Sequence, residues 1–264
     1  VYSHSNIGGD ALTDGGLTKE GSGTLTLGGV NTYNGLTTVS EGALVLPLSG
    51  SLVGDVTVDD GAKIGGVGLI GGLLTLGDTA GAAVAIDAAS LTGIQATDLT
   101  LNGVTALSLT GVPSLGTATY AIATYDNVSG VLVDGNGGTL ADSFSAPGYR
   151  LSAVVDNLGT LEADITTESG TWTGTTSGNW ETEGPDANWD TSDDFFYNGD
   201  EAFFDDSGSN KTVTLLEDVS PSVWDVNNSA GNDYTFTGAF GVTGATVIEA
   251  HTLCASCRSS TNPE

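Results

Sequence analysis

Between Pro185 and Tyr197 the chain places oxygen-bearing side chains at alternate positions: Asp186, Asn188, Asp190, Ser192 and Asp194. Carboxylates and amides in that rhythm are donors for a hard cation, and calcium is the candidate. The stretch begins like an EF-hand loop but does not continue as one. Thr191 holds the sixth position, where that loop needs Gly, and Tyr197 holds the twelfth, where it needs a bidentate Glu. The candidate metal set is therefore a looser one, Asp186, Asn188, Asp190 and Asp194, or alternatively Asp200, Asp205 and Asp206. The competing reading is a run of solvated acidic turns. No other cofactor is expected.

Catalysis finds fewer footholds. The carboxylate pairs Asp59–Asp60, Asp193–Asp194 and Asp205–Asp206 could serve glycoside hydrolysis or, with calcium, polysaccharide lysis. Adjacent residues on a strand point to opposite faces, so no pair can itself be a facing dyad. Lys63 follows Asp59 and Asp60 but is one isolated cation in a turn-like GAKIGG. Histidine occurs only at His4 and His251, which leaves a Ser-His-Asp triad without a convincing base. No nucleophile elbow, P-loop or H-E-x-x-H is present. Cys254 and Cys257 form a Cys-x-x-Cys with His251 nearby, but no second pair exists to complete a zinc site. The expectation is a chain that is not an enzyme, with a polysaccharide-active enzyme as an alternative function.

Trp172, Trp180 and Trp189 cluster at the start of the last third of the chain. Such rings either anchor a small β core or, if exposed, stack on sugars. They are the candidate glycan-binding residues, and a carbohydrate-binding module is the other alternative function.

The elements that must carry these groups are strands. Gly contributes 40 of 264 residues without a G-X-Y period, which excludes collagen, and no helical i, i+3, i+4, i+7 stripe recurs. The formal charge of −28 repels phosphate backbones, so no nucleic-acid partner is expected, and the five cations are too scattered for an anion site. No apolar run is long enough for a membrane helix. Met is absent, and there is no basic-then-apolar leader. The chain is thus expected to be a piece of a longer precursor.

From Gly16 to Leu46 the sequence reads GGLTKEGSGTLTLGGVNTYNGLTTVSEGALVL, with period-two alternation cut by Gly or Asn-Gly at short intervals. That is the pattern of short strands and tight corners. This stretch resembles the passenger-associated β-strand repeat of autotransporter-type bacterial surface proteins, whose pattern is GLTKxGxGTLTLxGxNTYxGxTTVxxGxLxL. Val56–Leu76 resembles the continuation that follows that repeat. The resemblance implies a right-handed parallel β-helix, exported through the outer membrane to the cell surface or the extracellular space. Its partners would be other modules of the same polypeptide and, if adhesive, surface glycans or host and matrix components.

Four zones follow. Residues 1–115 are expected to form the β-solenoid, with Leu25, Leu27, Val39, Leu44, Leu46, Val56, Val58, Ile64, Val67, Leu69, Leu74 and Leu76 facing inward. Residues 31–35 are expected to form a corner or protruding loop. Residues 116–165 have longer strands and more aromatics, and resemble the end of a passenger module. Tyr120, Tyr125, Phe144 and Tyr149 there are expected to cover the open end of the stack. Residues 166–250 resemble the leader of a following module and are expected to form a small β-sandwich-like domain. Residues 251–264 change composition abruptly and are expected to be an irregular tail, an artefact of truncation or reading frame. The function read from the whole is a structural or adhesive passenger segment, a stiff stalk.

Overall fold

A computed structural model describes residues 15–77, 81–87, 93–111, 115–126, 140–244 and 247–250. It comprises two compact units, Val1–Gly111 with Ala118–Ile165, and Val112–Thr117 with Thr166–Glu264. Among the described residues all regular structure is β except one 3₁₀ turn at Leu140–Ser143, and no helix is long and apolar enough to cross a membrane.

The first unit is a parallel β-solenoid. One face stacks Leu17–Lys19, Thr37–Val39, Val56–Val58, Leu69–Leu76, Ile94–Leu101 and Gly116–Tyr125. A second face stacks Thr24–Thr26, Ala43–Leu46, Lys63–Gly66, Ala83–Asp87, Thr105–Thr110 and Phe144–Ser145. Val30–Asn31, Ser51–Leu52 and the start of Leu69–Leu76 make a narrow third face. Asn31 therefore belongs to a paired strand, and the expected corner begins only after it. On the first face Leu17 pairs with Thr37, Thr37 with Val56, and Val56 with Leu74, so the opening coils advance by a nearly constant step. Later coils are longer, as the pairing of Ile94 with Ala123 shows.

That near-constant step puts like side chains above one another. Val39, Val58 and Leu76 form one inward column, and Leu44, Ile64 and Val84 another, all fully or almost fully buried. Burial of this kind stabilises by roughly 25 cal/mol per Å² of apolar surface. Corners are set by glycine where the turn is tightest. Gly66 has φ +98° and passes so close to Leu46 that a Cβ there would collide with the Leu46 carbonyl oxygen.

One inward assignment needs correction. Leu69 is 48% exposed, because Gly66 and Gly68 break the alternation, and Ile70 takes the inward place against Leu52 and Ala96. Val67 is half-buried, and Leu25 and Leu27, on the first described coil of the second face, pack half-buried against the core as expected.

The parallel stack ends in an antiparallel hairpin, Leu151–Asp156 with Thr160–Thr167. Asn157 and Thr160 exchange backbone hydrogen bonds around Leu158 (φ +51°) and Gly159 (φ +97°), the two positive-φ positions of a type I′ turn. Tyr120, Tyr125 and Phe144 are buried in this unit's core and Tyr149 packs partly against it. Burial, with the Asp156 carboxylate beside it, pushes the Tyr125 phenol well above its usual range.

The second unit departs from the sandwich-like expectation. Two sheets do enclose one core, but every ladder is parallel, so it is a short solenoid of its own. One face stacks Ser169–Thr171, Glu201–Phe204, Val223–Val226 and Val247–Ala250; the other stacks Asn179–Trp180, Thr212–Leu215 and Thr235–Gly238. In its later coils Glu201 pairs with Val223, Thr212 with Thr235 and Val223 with Val247, a slightly longer step than in the opening coils of the first unit. Bulky aromatics blur the period-two signal and leave long inter-strand loops, which is why the coil is hidden in the sequence.

The two burial classes predict different outcomes on truncation. Leu46→Ala should cost about 2–5 kcal/mol by leaving a cavity between coils, and Leu27→Ala clearly less. Urea unfolding followed by circular dichroism compares them, and equal costs would mean that the first coil is as covered as the second.

Candidate functional site

The candidate glycan and calcium residues all lie in the second unit, and the structure gives most of them structural work. Trp172 and Trp180 have no exposed surface and Trp189 has 3%. Trp180 sits at the centre, with Trp189, Phe196 and Phe204 ring centroids at 5.4, 5.2 and 5.3 Å. Trp172 meets Trp189 edge to face at 5.4 Å. Such offset and T-shaped pairs add to the area they bury. The indole N–H of Trp172 donates to the Asn210 carbonyl at 2.8 Å. None of the three rings offers a face on which a sugar could stack, so the glycan platform is not built from them.

The calcium set is likewise dispersed. Asn188 is completely buried, and its Oδ1 accepts the backbone N–H groups of Thr176 (3.1 Å) and Ser177 (3.0 Å). Its Nδ2 donates to Ser177 Oγ and the Asn179 carbonyl, both at 3.0 Å. All the side chain's bonding capacity thus holds the loop 173–188 closed. Asp186 Oδ2 accepts from Ser177 Oγ (2.7 Å) and Asn179 Nδ2 (3.0 Å). Asp190 Oδ1 accepts the Thr171 amide. Asp194 stands at φ +69° in the tight turn after Thr191. Among the described residues no three His, Cys, Asp or Glu side chains gather into a group that could hold a metal. The alternation that suggests ligands reflects a loop whose polar side chains bond to backbone.

The carboxylate pairs fall to similar roles. Asp60 Oδ1 accepts from the Gly81 amide one coil on (3.1 Å), and Asp206 accepts from Ser229. Lys63 Nζ donates to Ser108 Oγ at 2.9 Å, two coils along the second face. A lysine donating to a hydroxyl does not activate it. Cys254, Cys257 and His251 lie outside the described residues.

A wider pattern escapes the sequence reading. Side-chain oxygens at corners accept backbone N–H groups from a neighbouring coil: Glu41 from Gly21 (3.0 Å), Asp55 from Leu73 (2.9 Å), Asn198 from Ser220 (2.7 Å) and Asp218 from Gly241 (2.8 Å). Asp200, fully buried, accepts from Glu168 N at 2.7 Å and Tyr197 N at 3.0 Å, one bond to each oxygen. Lys19 does the converse for carbonyls. It occupies an inward position in register with Val39, and its Nζ donates to the carbonyls of Glu20 (2.8 Å), Gly21 and Glu41 (3.0 Å). The signal is present as Lys19 and Glu41 in the repeat itself, flanking corner glycines. Glu181 is an exception to the well-accommodated acids: burial raises its pKa, and the Asp186 and Glu217 carboxylates raise it further.

Fold and geometry together define a β-solenoid module whose polar groups hold coil to coil. Residues 17–46 match the passenger-associated-transport-repeat, so the chain carries that repeat. The chain is also 44% identical over 62 residues to an extracellular serine protease of Serratia marcescens. That alignment covers 24% of this chain and 6% of the relative's length, so the chain spans only a small part of the protein that it resembles. No solved structure matches.

Two substitutions test this bonding. Asp200→Asn would turn an NH₂ against a backbone N–H and should cost about 1–3 kcal/mol at pH 7. Tryptophan fluorescence reads it directly, since all four Trp residues lie in this unit. A fluorescence-monitored melt equal to that of the unaltered chain would discount the two-amide bond.

Glu181→Gln should act in the opposite direction. A carboxylate with raised pKa takes up its proton more readily in the folded state, so stability falls as pH rises through that value. The Gln variant should melt higher at pH 7 and equal the unaltered chain below the ordinary Glu range. A gain that persists in acid would show that charge is not the cause.

Proposed function

We propose that the chain is a non-enzymatic passenger segment of a larger exported bacterial protein, serving as a stiff β-solenoid stalk. The observation that carries this reading is the first unit itself. There the matched repeat forms the opening coils of a continuous aliphatic column, each coil advancing by almost the same length of chain. In such a stack each coil contacts only its neighbours, and stiffness follows from the summed inter-coil ladders and core. Asp60, Asp193, Asp205 and Asp206, among the carboxylates that might have done chemistry, accept from backbone amides, which supports a mechanical role over a catalytic one. The protease activity of the Serratia protein belongs to a chain of which only 6% aligns here. What carries over is its extracellular setting: this segment works outside the cell, at the surface or released. Its immediate partners are further modules of the same polypeptide, and its acidic surface suits a hydrated exterior.

Surface exposure is the decisive test. An antibody raised against the second unit should label intact producing cells or their medium, and external protease should remove the cell-bound signal. Labelling seen only after lysis would overturn the proposal. A companion assay asks for turnover of pectin, alginate, xylan, esters or peptides by the purified chain. None is expected, and Ala at Asp59, Asp60, Asp205 or Asp206 should alter stability alone.

A further inference from the structure

The loop after Phe204 is tied to the loop after Val226 by a compact polar knot. Asp206 accepts from the Ser229 amide at 2.6 Å through Oδ1 and from Ser229 Oγ at 2.7 Å through Oδ2. Their separation along the chain equals one coil of this unit, so the bond joins successive turns. Around it stand Lys211, whose Nζ donates to the Asp205 and Asp206 carbonyls (3.0 Å each), and Tyr234, whose hydroxyl donates to the Asp205 carbonyl at 2.7 Å. Lys211 Nζ also lies 4.5 Å from the centre of the Tyr234 ring. Asn232 braces Ser229 through its Oγ at 3.0 Å. The Tyr234 ring packs edge-on against Phe204 at 5.3 Å, and Phe204 is part of the buried aromatic core. The knot therefore holds down an aromatic ring that covers the core.

We propose that the Asp206–Ser229 pair is an acid-operated clasp between two coils: closed while the carboxylate is ionised, it opens on protonation and frees the segment 227–234 that carries Tyr234 over the core. A carboxylate can accept both Ser229 bonds at once, whereas a carboxylic acid must use one oxygen as a donor. The titratable groups facing Asp206 are Asp205, Lys211 and Tyr234. The backbone and hydroxyl bonds from Ser229 hold the Asp206 carboxyl below its usual range, and the Lys211 charge adds to them. Tyr234 is pushed up to about 12 by burial and by the two Asp charges, so it stays a neutral donor throughout. For an acid with lowered pKa, the stabilisation is present above the ordinary value and is lost as pH falls through the lowered one. The clasp stays shut in mild acid and releases in strong acid.

The test uses the full chain, with tryptophan fluorescence reporting the second unit during thermal unfolding between pH 7 and pH 3. Asp206→Asn preserves shape but removes the ionised acceptor. At pH 7 it should melt several degrees below the unaltered chain, and the gap should begin to narrow as pH falls below about 4 and go on narrowing with further acid. Ser229→Ala keeps the amide and loses the hydroxyl, so its gap should narrow over the same interval from a smaller starting value. A gap for Asp206→Asn that is constant with pH, or absent at pH 7, overturns the clasp. A Ser229→Ala deficit that persists undiminished at pH 3 would do the same, since it would make the serine's contribution independent of the carboxylate.

Discussion

A parallel coil that stacks on its neighbour must satisfy two conditions at once: its apolar side chains must fall on those of the next turn, and its corners must not leave backbone groups unbonded. The ladders meet the second condition only along the strands. At the corners N–H and C=O groups leave the ladder, and each one buried without a partner costs a sizeable fraction of a domain's net stability. Here the shortfall is met by side chains reaching one coil away, as with Glu41 to Gly21 and Asp55 to Leu73. Much of what a composition count reports as negative charge is thus corner hydrogen bonding. Lys19 shows the same need from the other side, giving an ammonium to three carbonyls at an inward position.

The two units answer the first condition differently. In the first, Val, Leu and Ile of similar bulk fall above one another, at nearly equal steps in the opening coils, so the columns form from small, interchangeable pieces. In the second, Trp172, Trp180, Trp189, Phe196 and Phe204 fill the core. Large rings widen the coil and lengthen its loops. Those loops then need their own fastenings, which is why buried Asn188 and Asp200 occur there. The polar residues of this unit are best understood as consequences of its aromatic core.

The first unit is legible in the sequence because short side chains leave its period-two alternation clean, and because its corners are marked by Gly and Asn-Gly. Its departures from that reading are local. Leu69 turns outward where two glycines reset the phase, and Asn31 joins a paired strand ahead of the expected corner. The second unit is less legible, since a parallel partner as remote in sequence as Glu201 is from Ser169 leaves no local trace. The candidate ligands Asp186, Asn188, Asp190 and Asp194 mislead for a physical reason. Oxygen-rich loops look alike in sequence whether their acceptors serve a cation or a set of amides. Only the direction of the side chains tells them apart.

The hairpin that ends the first unit has a bearing on how such chains change over generations. Upstream of it, a one-coil segment can be copied or lost as a whole, because each coil touches only the ones on either side. The hairpin itself does not repeat: its type I′ turn reverses the strand, and nothing parallel can be templated across that reversal. Reach can therefore drift by duplication while the terminating piece stays fixed. The solenoid's length is then a quantity that unequal recombination can adjust in steps of one coil, with no new packing problem to solve at either side of the join.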